Sequence, residues 1–164
     1  MTSLPTVLPP RVVASARRRG LPHRKLADGT LFIGKDPVVS IRLSPASLGV
    51  RIDLSGPVPP RDVGAARDLM DRLLAAGPAP TISLSHVDES EGAGSEAGEP
   101  GAPEAPAATG RLYVRIEAVT PVEEGMTDAQ LDAYLAWATA LTDRCAAAFE
   151  RALPLTRAGA DKED

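Results

Sequence analysis

The stretch VEEGMTDAQLDAYLAWATALTDRC opens on two adjacent carboxylates, Glu123 and Glu124, which is the kind of pair that can divide acid and base work. Such a pair needs surroundings that push the two pKa values apart, so that one group donates a proton while the other accepts. The residues that follow give these glutamates a different role. Thr127 and Gln130 form a capping box, each side chain placed to satisfy an orphan backbone N–H at a helix start, and Met126 and Leu131 have the spacing of a hydrophobic staple. A helix therefore starts at Thr127, and negative charge just ahead of it favours the positive end of its dipole. Asp128 and Asp132, in or near the first turn, have the same explanation.

Other side chains with catalytic or ligating capacity are few and scattered. His23 and His86 are the two histidines and Cys145 the one cysteine, too small a set for a structural zinc site or a triad. Ser85 and His86 are neighbours, but neighbours in a strand point to opposite faces. Cys145 falls on the apolar stripe of its helix with no adjacent His to lower its pKa, which reads as a core thiol. Gly92, Gly94 and Gly98 give G-x-G-x-x-x-G, one residue longer than the dinucleotide fingerprint and in an acidic setting that repels phosphates. No catalytic residue, cofactor, metal or small-molecule substrate is nominated, and the protein is not expected to be an enzyme.

The length, 164 residues, suits one domain. Six of the 22 acidic residues fall in residues 88–110, which contain no Lys or Arg, leaving 16 acidic against 18 basic residues elsewhere. That near-neutral remainder argues against a strong nucleic-acid footprint. The basic cluster Arg17, Arg18 and Arg19, with Arg11, is the handle a nucleic-acid regulator would use, although cations at a helix C-terminus also favour its dipole. A lone cysteine excludes an intrachain disulfide. No apolar run approaches the roughly 20 residues that span a bilayer, and MTSLPTVLPPRVV lacks a signal peptide's charged start and long apolar centre. No membrane association is expected, and the expected location is cytoplasmic.

Three helices alternate with strands. LPPRVVASARRRGL has prolines where a first turn tolerates them, apolar Leu8, Val12, Val13 and Ala16, and Gly20 as a left-handed stop. TLFIG, VVSIRLS and LGVRIDLS are short β-branched runs with connections too short for parallel crossovers, which predicts an antiparallel meander. PVPPRDVGAARDLMDRLLAAGPAP is a second helix with Val63, Ala66, Met70, Leu73 and Leu74 on its apolar face. TISLSHV and RLYVRIEAV both alternate and should pair as a hairpin. Between them the 23 residues 88–110 hold no large apolar side chain and are expected to be disordered. The core stripe of the third helix is Leu131, Leu135, Ala138, Thr142, Cys145 and Phe149, within about 40° of one direction at 100° per residue.

RRRGL closing helix one, DGTLFIG, the meander, helix two, RLYVRIEAV and then VEEGMTDAQLDAYLAWATALTDRCAAAFERAL make an order that resembles the YbjN-like family, whose fold is akin to type III secretion chaperones. The match covers residues 8–153 apart from the acidic insertion, and its most specific part is E-E-G-M-T-x-x-Q-L before the long helix. The resemblance implies a single α+β domain, an antiparallel sheet with three helices in the order helix, meander, helix, hairpin, helix. It also implies a protein that is often dimeric and serves protein interaction rather than catalysis, in stress response, secretion or regulation. Residues 1–7 and 154–164 are expected to be flexible ends. RDLMDRLLAAG stands where family members carry aromatic and asparagine residues, and this chain has five aromatic residues in all.

A chaperone-like adaptor needs a surface for a partner polypeptide or a second copy. With Leu131 at zero on the helical wheel, Trp137 lies at about −120°, Leu141 at −80° and Tyr134 at −60°, so the apolar belt of helix three extends past its core stripe on one side. Leu69 on helix two is similarly placed, about −120° from its stripe. Trp137, Leu69, Tyr134 and Leu141 are thus the expected partner or homodimer contacts.

Overall fold

The structure is a computed structural model that describes residues 4–21, 23–25, 31–33, 39–87 and 111–157. The acidic insertion at 88–110 and residues 26–30 and 34–38 lie outside the described residues, as do residues 1–3 and 158–164. The chain runs α1 (Pro9–Arg18), β1 (His23–Lys25), β2 (Leu31–Ile33), β3 (Val39–Leu43), β4 (Ser47–Ser55), a 3-10 turn (Pro60–Asp62), α2 (Val63–Ala75), β5 (Thr81–Val87), β6 (Arg111–Pro121), α3 (Asp128–Ala152) and β7 (Thr156–Arg157). This is the α+β order expected from the sequence.

The first four strands form an antiparallel meander, and β5 and β6 form a hairpin. The hairpin joins through its second strand, so the sheet order is β1-β2-β3-β4-β6-β5, with β7 pairing the end of β4. β4 and β5 consequently run parallel with β6 between them, and α2 supplies the crossover. Register follows from the pleat. Leu31, Ile41, Val50 and Ala118 make one row across four strands, and Val39, Ile52, Ile116 and Ile82 make a second. All eight are at most 9% exposed, because these rows lie under α3, which packs on β4 and β6 and has α1 and α2 beside it. Each fully buried Leu or Ile there contributes about 1.5–3 kcal/mol, and a one-residue slip would turn a whole row to solvent.

Each helix end has a local cause. Gly20 takes φ 65°, and the Gly20 and Leu21 N–H groups close α1 on the carbonyls of Arg17 and Ala16. The capping box forms as expected, with the Gln130 N–H donating to Thr127 Oγ1 at 3.1 Å and the Thr127 N–H to Gln130 Oε1 at 2.8 Å. The six residues of the expected α3 stripe are all buried. Thr142, the polar member, donates its hydroxyl to the Ala138 carbonyl at 2.9 Å, so its burial leaves no orphan donor.

In α2 the buried side differs from the expected one. Ala66 and Leu69 are buried, Val63, Met70 and Leu73 are partly buried against the core and Leu74 is 45% exposed, so the helix is rotated toward Leu69 and away from Leu74. The wheel finds an apolar face but does not say which part of a broad face meets α3.

Within the ends expected to be flexible, the described residues 4–7 and 154–157 make defined contacts. Val7 is buried, and the Pro5 carbonyl accepts from the Met126 N–H at 2.9 Å. Gly125 explains why this close approach works. Its φ is 81°, and a Cβ there would lie 2.6 Å from the Pro5 oxygen and 2.7 Å from the Leu4 oxygen. Only glycine meets both demands. At the other end Leu153 and Leu155 are buried, and β7 pairs Leu54 and Ser55.

Candidate functional site

The residues with chemical potential do not converge. His23 is on β1 and His86 on β5, the two outer strands of the sheet. Cys145 is buried, and burial pushes its thiol up from its ordinary value. Among the described residues no three His, Cys, Asp or Glu side chains gather in a metal-holding group. No helix among the described residues is long and apolar enough to cross a membrane.

The arginine cluster and the first-turn aspartates meet each other instead. Arg11 donates from Nε and Nη2 to Asp128 Oδ1 at 3.1 and 2.6 Å. Its Nη1 reaches the Pro5 and Thr6 carbonyls at 2.9 and 2.8 Å, and its Nη2 also reaches Met126 O at 2.8 Å. One guanidinium thereby ties the leading segment to the start of α3, using the fork that lysine lacks. Further along α1, Arg18 donates from Nε and Nη2 to Asp132 at 3.0 and 2.8 Å, and the Ser15 hydroxyl donates to the same carboxylate. The hydrogen bonds from Arg18 and Ser15 hold the Asp132 carboxyl below its usual range. Sequence reading assigned Asp128 and Asp132 to the dipole alone. The spacing Arg11, Ser15, Arg18 on one helix face against Asp128, Asp132 on another was the available signal, but only docking of the two helices turns it into a seam. Arg17 is exposed, and Arg19 is partly buried with Nη1 lacking a partner among the described residues.

The opposite flank of α3 carries three of the four expected contact residues. Tyr134 is partly buried, and its hydroxyl oxygen lies 3.0 Å from the Leu48 carbonyl oxygen and 2.8 Å from that of Ala118, within donating distance of both. Burial, with the nearby Glu117 charge, pushes that phenol up, so it stays a donor. Leu141 is 4% exposed and Leu69, on α2, 9%, so the chain's own packing covers both and neither offers surface. Trp137 is different. It is 48% exposed, with Ala133 and Ala140 exposed one turn to either side, and its ring centroid is 6.1 Å from that of Tyr134 at a 42° tilt. The four residues thus do not form one patch; Trp137 stands out from a flank that Tyr134 and Leu141 anchor.

The sheet face away from the helices carries an ion-pair cluster on β4 and β6, beside an exposed Val119. Arg51 donates from Nε to Asp53 Oδ2 at 2.6 Å, with its Nη2 in ion-pair contact with the same oxygen at 2.6 Å, and Arg115, opposite Asp53 on β6, donates to Oδ1 at 2.9 Å. Burial alone would push the Asp53 carboxyl up, but the two guanidiniums outweigh it and hold the group below its usual range. The Arg51 side chain is only 13% exposed while those of Asp53 and Arg115 are 38% and 40% exposed, and Asp53 ties β4 to β6 through Arg115.

No protein-family model matches the sequence. No curated protein matches it. Among solved structures, the crystal structure of YbjN from E. coli, described as a candidate transcription regulator, aligns with a TM-score of 0.67 over 94% of this chain and 99% of that chain, at 13% sequence identity. The likeness shows a shared fold, the one the sequence resemblance implied.

Proposed function

We propose that this protein is a non-catalytic, chaperone-like adaptor of the cytoplasm, and that it binds a partner polypeptide or a second copy through the α3 flank centred on Trp137. The observation that carries this reading is a tryptophan 48% exposed on an otherwise anchored helix. Its ring lies beside Tyr134, with centroids 6.1 Å apart, and aromatic anchors of this kind dominate interface energetics. Ala133 and Ala140 leave low ground around the indole where an apolar partner side chain can lie. Capture from native cytosol on immobilised wild-type protein and on Trp137→Ser tests this. A polypeptide retained by the first and lost from the second is expected; equal retention by both moves the contact elsewhere on the molecule.

The second reading, a regulator that contacts nucleic acid, is favoured by the description of YbjN as a candidate transcription regulator. Against it, Arg11 and Arg18 are engaged by Asp128 and Asp132, which leaves Arg17 and Arg19 of the four-arginine handle. Binding to duplex DNA that weakens steeply with salt and is lost in Arg17→Ser would favour this reading over the adaptor.

A further inference from the structure

Charge on α3 is segregated around the helix axis. With Leu131 at zero and 100° per residue, the helix's four carboxylates, Asp128, Asp132, Asp143 and Glu150, fall between about 60° and 120°, the side that meets α1. Its two guanidiniums, Arg144 and Arg151, fall at about −140° and −160°, beside Trp137. Gln130, Trp137, Arg144 and Arg151 follow one another at heptad spacing, so they form one row along the helix that drifts only about 20° per step. All four are exposed, and neither arginine is in an ion pair among the described residues. Ala133 and Ala140, on either side of the indole, give the steps of three and four residues over which a second helix packs.

We infer that the partner seated on Trp137 is an acidic amphipathic helix, laid along this row with an apolar side chain at the indole and carboxylates at Arg144 and Arg151. The inference rests on the adaptor reading and gives its partner a chemistry. Charge decides the occupant. A second copy of α3 on the row would gather four guanidiniums with no carboxylate on that side of either helix to offset them, whereas a helix of opposite sign answers both arginines. Spacing decides the conformation. Successive members of the row are about 10.5 Å apart, which a helix matches with one heptad. A strand covers that distance in about three residues, an odd number, and so turns opposite faces to Trp137 and Arg144. The indole supplies the apolar anchor, and the guanidiniums discriminate among the polypeptides that could cover it.

Trp137 is the one tryptophan of the chain, so its emission reports the contact without a label. The probe is a synthetic helical peptide of about three heptads, with leucine at the facing positions and glutamate beside them. Its control carries lysine at every glutamate. Titrated into the full chain, the glutamate peptide should shift the emission saturably to shorter wavelength, and the lysine peptide should not. In R144E/R151E, whose two positions are exposed, the circular-dichroism spectrum should be unchanged. That variant should bind the glutamate peptide on the order of tenfold more weakly and accept the lysine peptide instead. No shift with either peptide, equal affinity for both, or an unchanged affinity in R144E/R151E overturns the proposal. A wild-type mass of twice 17.1 kDa that Trp137→Ser halves places a second copy on the row and overturns it as well. A cytosolic polypeptide lost on Trp137→Ser but kept on R144E/R151E overturns the acidic-helix partner and leaves the adaptor reading standing. One lost on both variants supports the two together.

Discussion

The two flanks of α3 close in opposite ways. Toward α1 the contact is polar, with Arg11 on Asp128 and with Ser15 and Arg18 on Asp132. On the other flank the contact is apolar, through Leu141, with Tyr134 adding one hydroxyl that the sheet carbonyls satisfy. The flank richer in charge is the one whose charged groups are used up inside the molecule, and the flank with hardly any polar chemistry is the one with something left over, half of an indole. Under the proposed adaptor role, the site of contact is marked by unspent apolar area rather than by surface charge.

The comparison breaks first at the turn that starts α3. Gly125→Ala adds a Cβ 2.6 Å from the Pro5 oxygen to a residue at φ 81°, and should cost about 3 kcal/mol or more. Gly20→Ala, at φ 65° with open space around it, should cost about 1–2 kcal/mol. Urea denaturation of the two variants side by side separates backbone conformation from the close approach, and equal losses would mean that the leading segment does not dock. Leu141→Ala, on the apolar flank, should lose about 2–4 kcal/mol by the same measurement. A loss below about 1 kcal/mol would place Leu141 back among surface residues.

Tyr134→Phe should cost about 1 kcal/mol, because the two carbonyls lose a donor while the ring stays packed. The polar flank has a pH signature. Asp132 has its folded pKa lowered, so its contribution is fully present above the usual carboxylate value near 3.8 and is lost as pH falls through the lowered one. Asp53 on the sheet has the same sign. The thermal midpoint of wild type should therefore drop on acidification below about pH 4. Asp132→Asn should start lower at neutral pH and drop less, the difference shrinking at high salt because the Arg18 pair is partly exposed. Equal slopes for the two proteins would mean the seam contributes nothing. Trp137→Ser should have the smallest effect on stability, within about 0.5 kcal/mol, and the largest on partner capture. A mutant that unfolds would show the indole to be core and erase the difference between the flanks.

Local signals were legible wherever one element sufficed to explain them. The capping box of Thr127 and Gln130, the Gly20 stop, the alternation in β4 and β6 and the stripe from Leu131 to Phe149 are all written within a few residues, and all appear where expected. The rotation of α2 was not legible, since Leu69 and Leu74 both belong to a broad apolar face and only contact with the core chooses between them. Gly125 could be read as part of a turn but not as the floor under Leu4 and Pro5, because the segment that crosses it is more than a hundred residues away in the chain. Of the candidate contact residues, Trp137 is the one for which an extreme angle on the wheel and true exposure coincide.

The sequence by itself determined the three helices and the strands β2 to β6, though not β1, the 3-10 turn or β7, because propensity, caps and hydrophobic period act over a single turn or a few residues of strand. Tertiary structure alone decided that the hairpin docks through β6, so that β5 becomes an edge, and that Arg11 and Arg18 find Asp128 and Asp132. The physical reason is that pairing and burial are properties of two surfaces in contact. A period of 3.6 or 2 tells which side of an element is apolar, but which neighbour covers it, and which side chain is left uncovered, depends on how all the elements share one core.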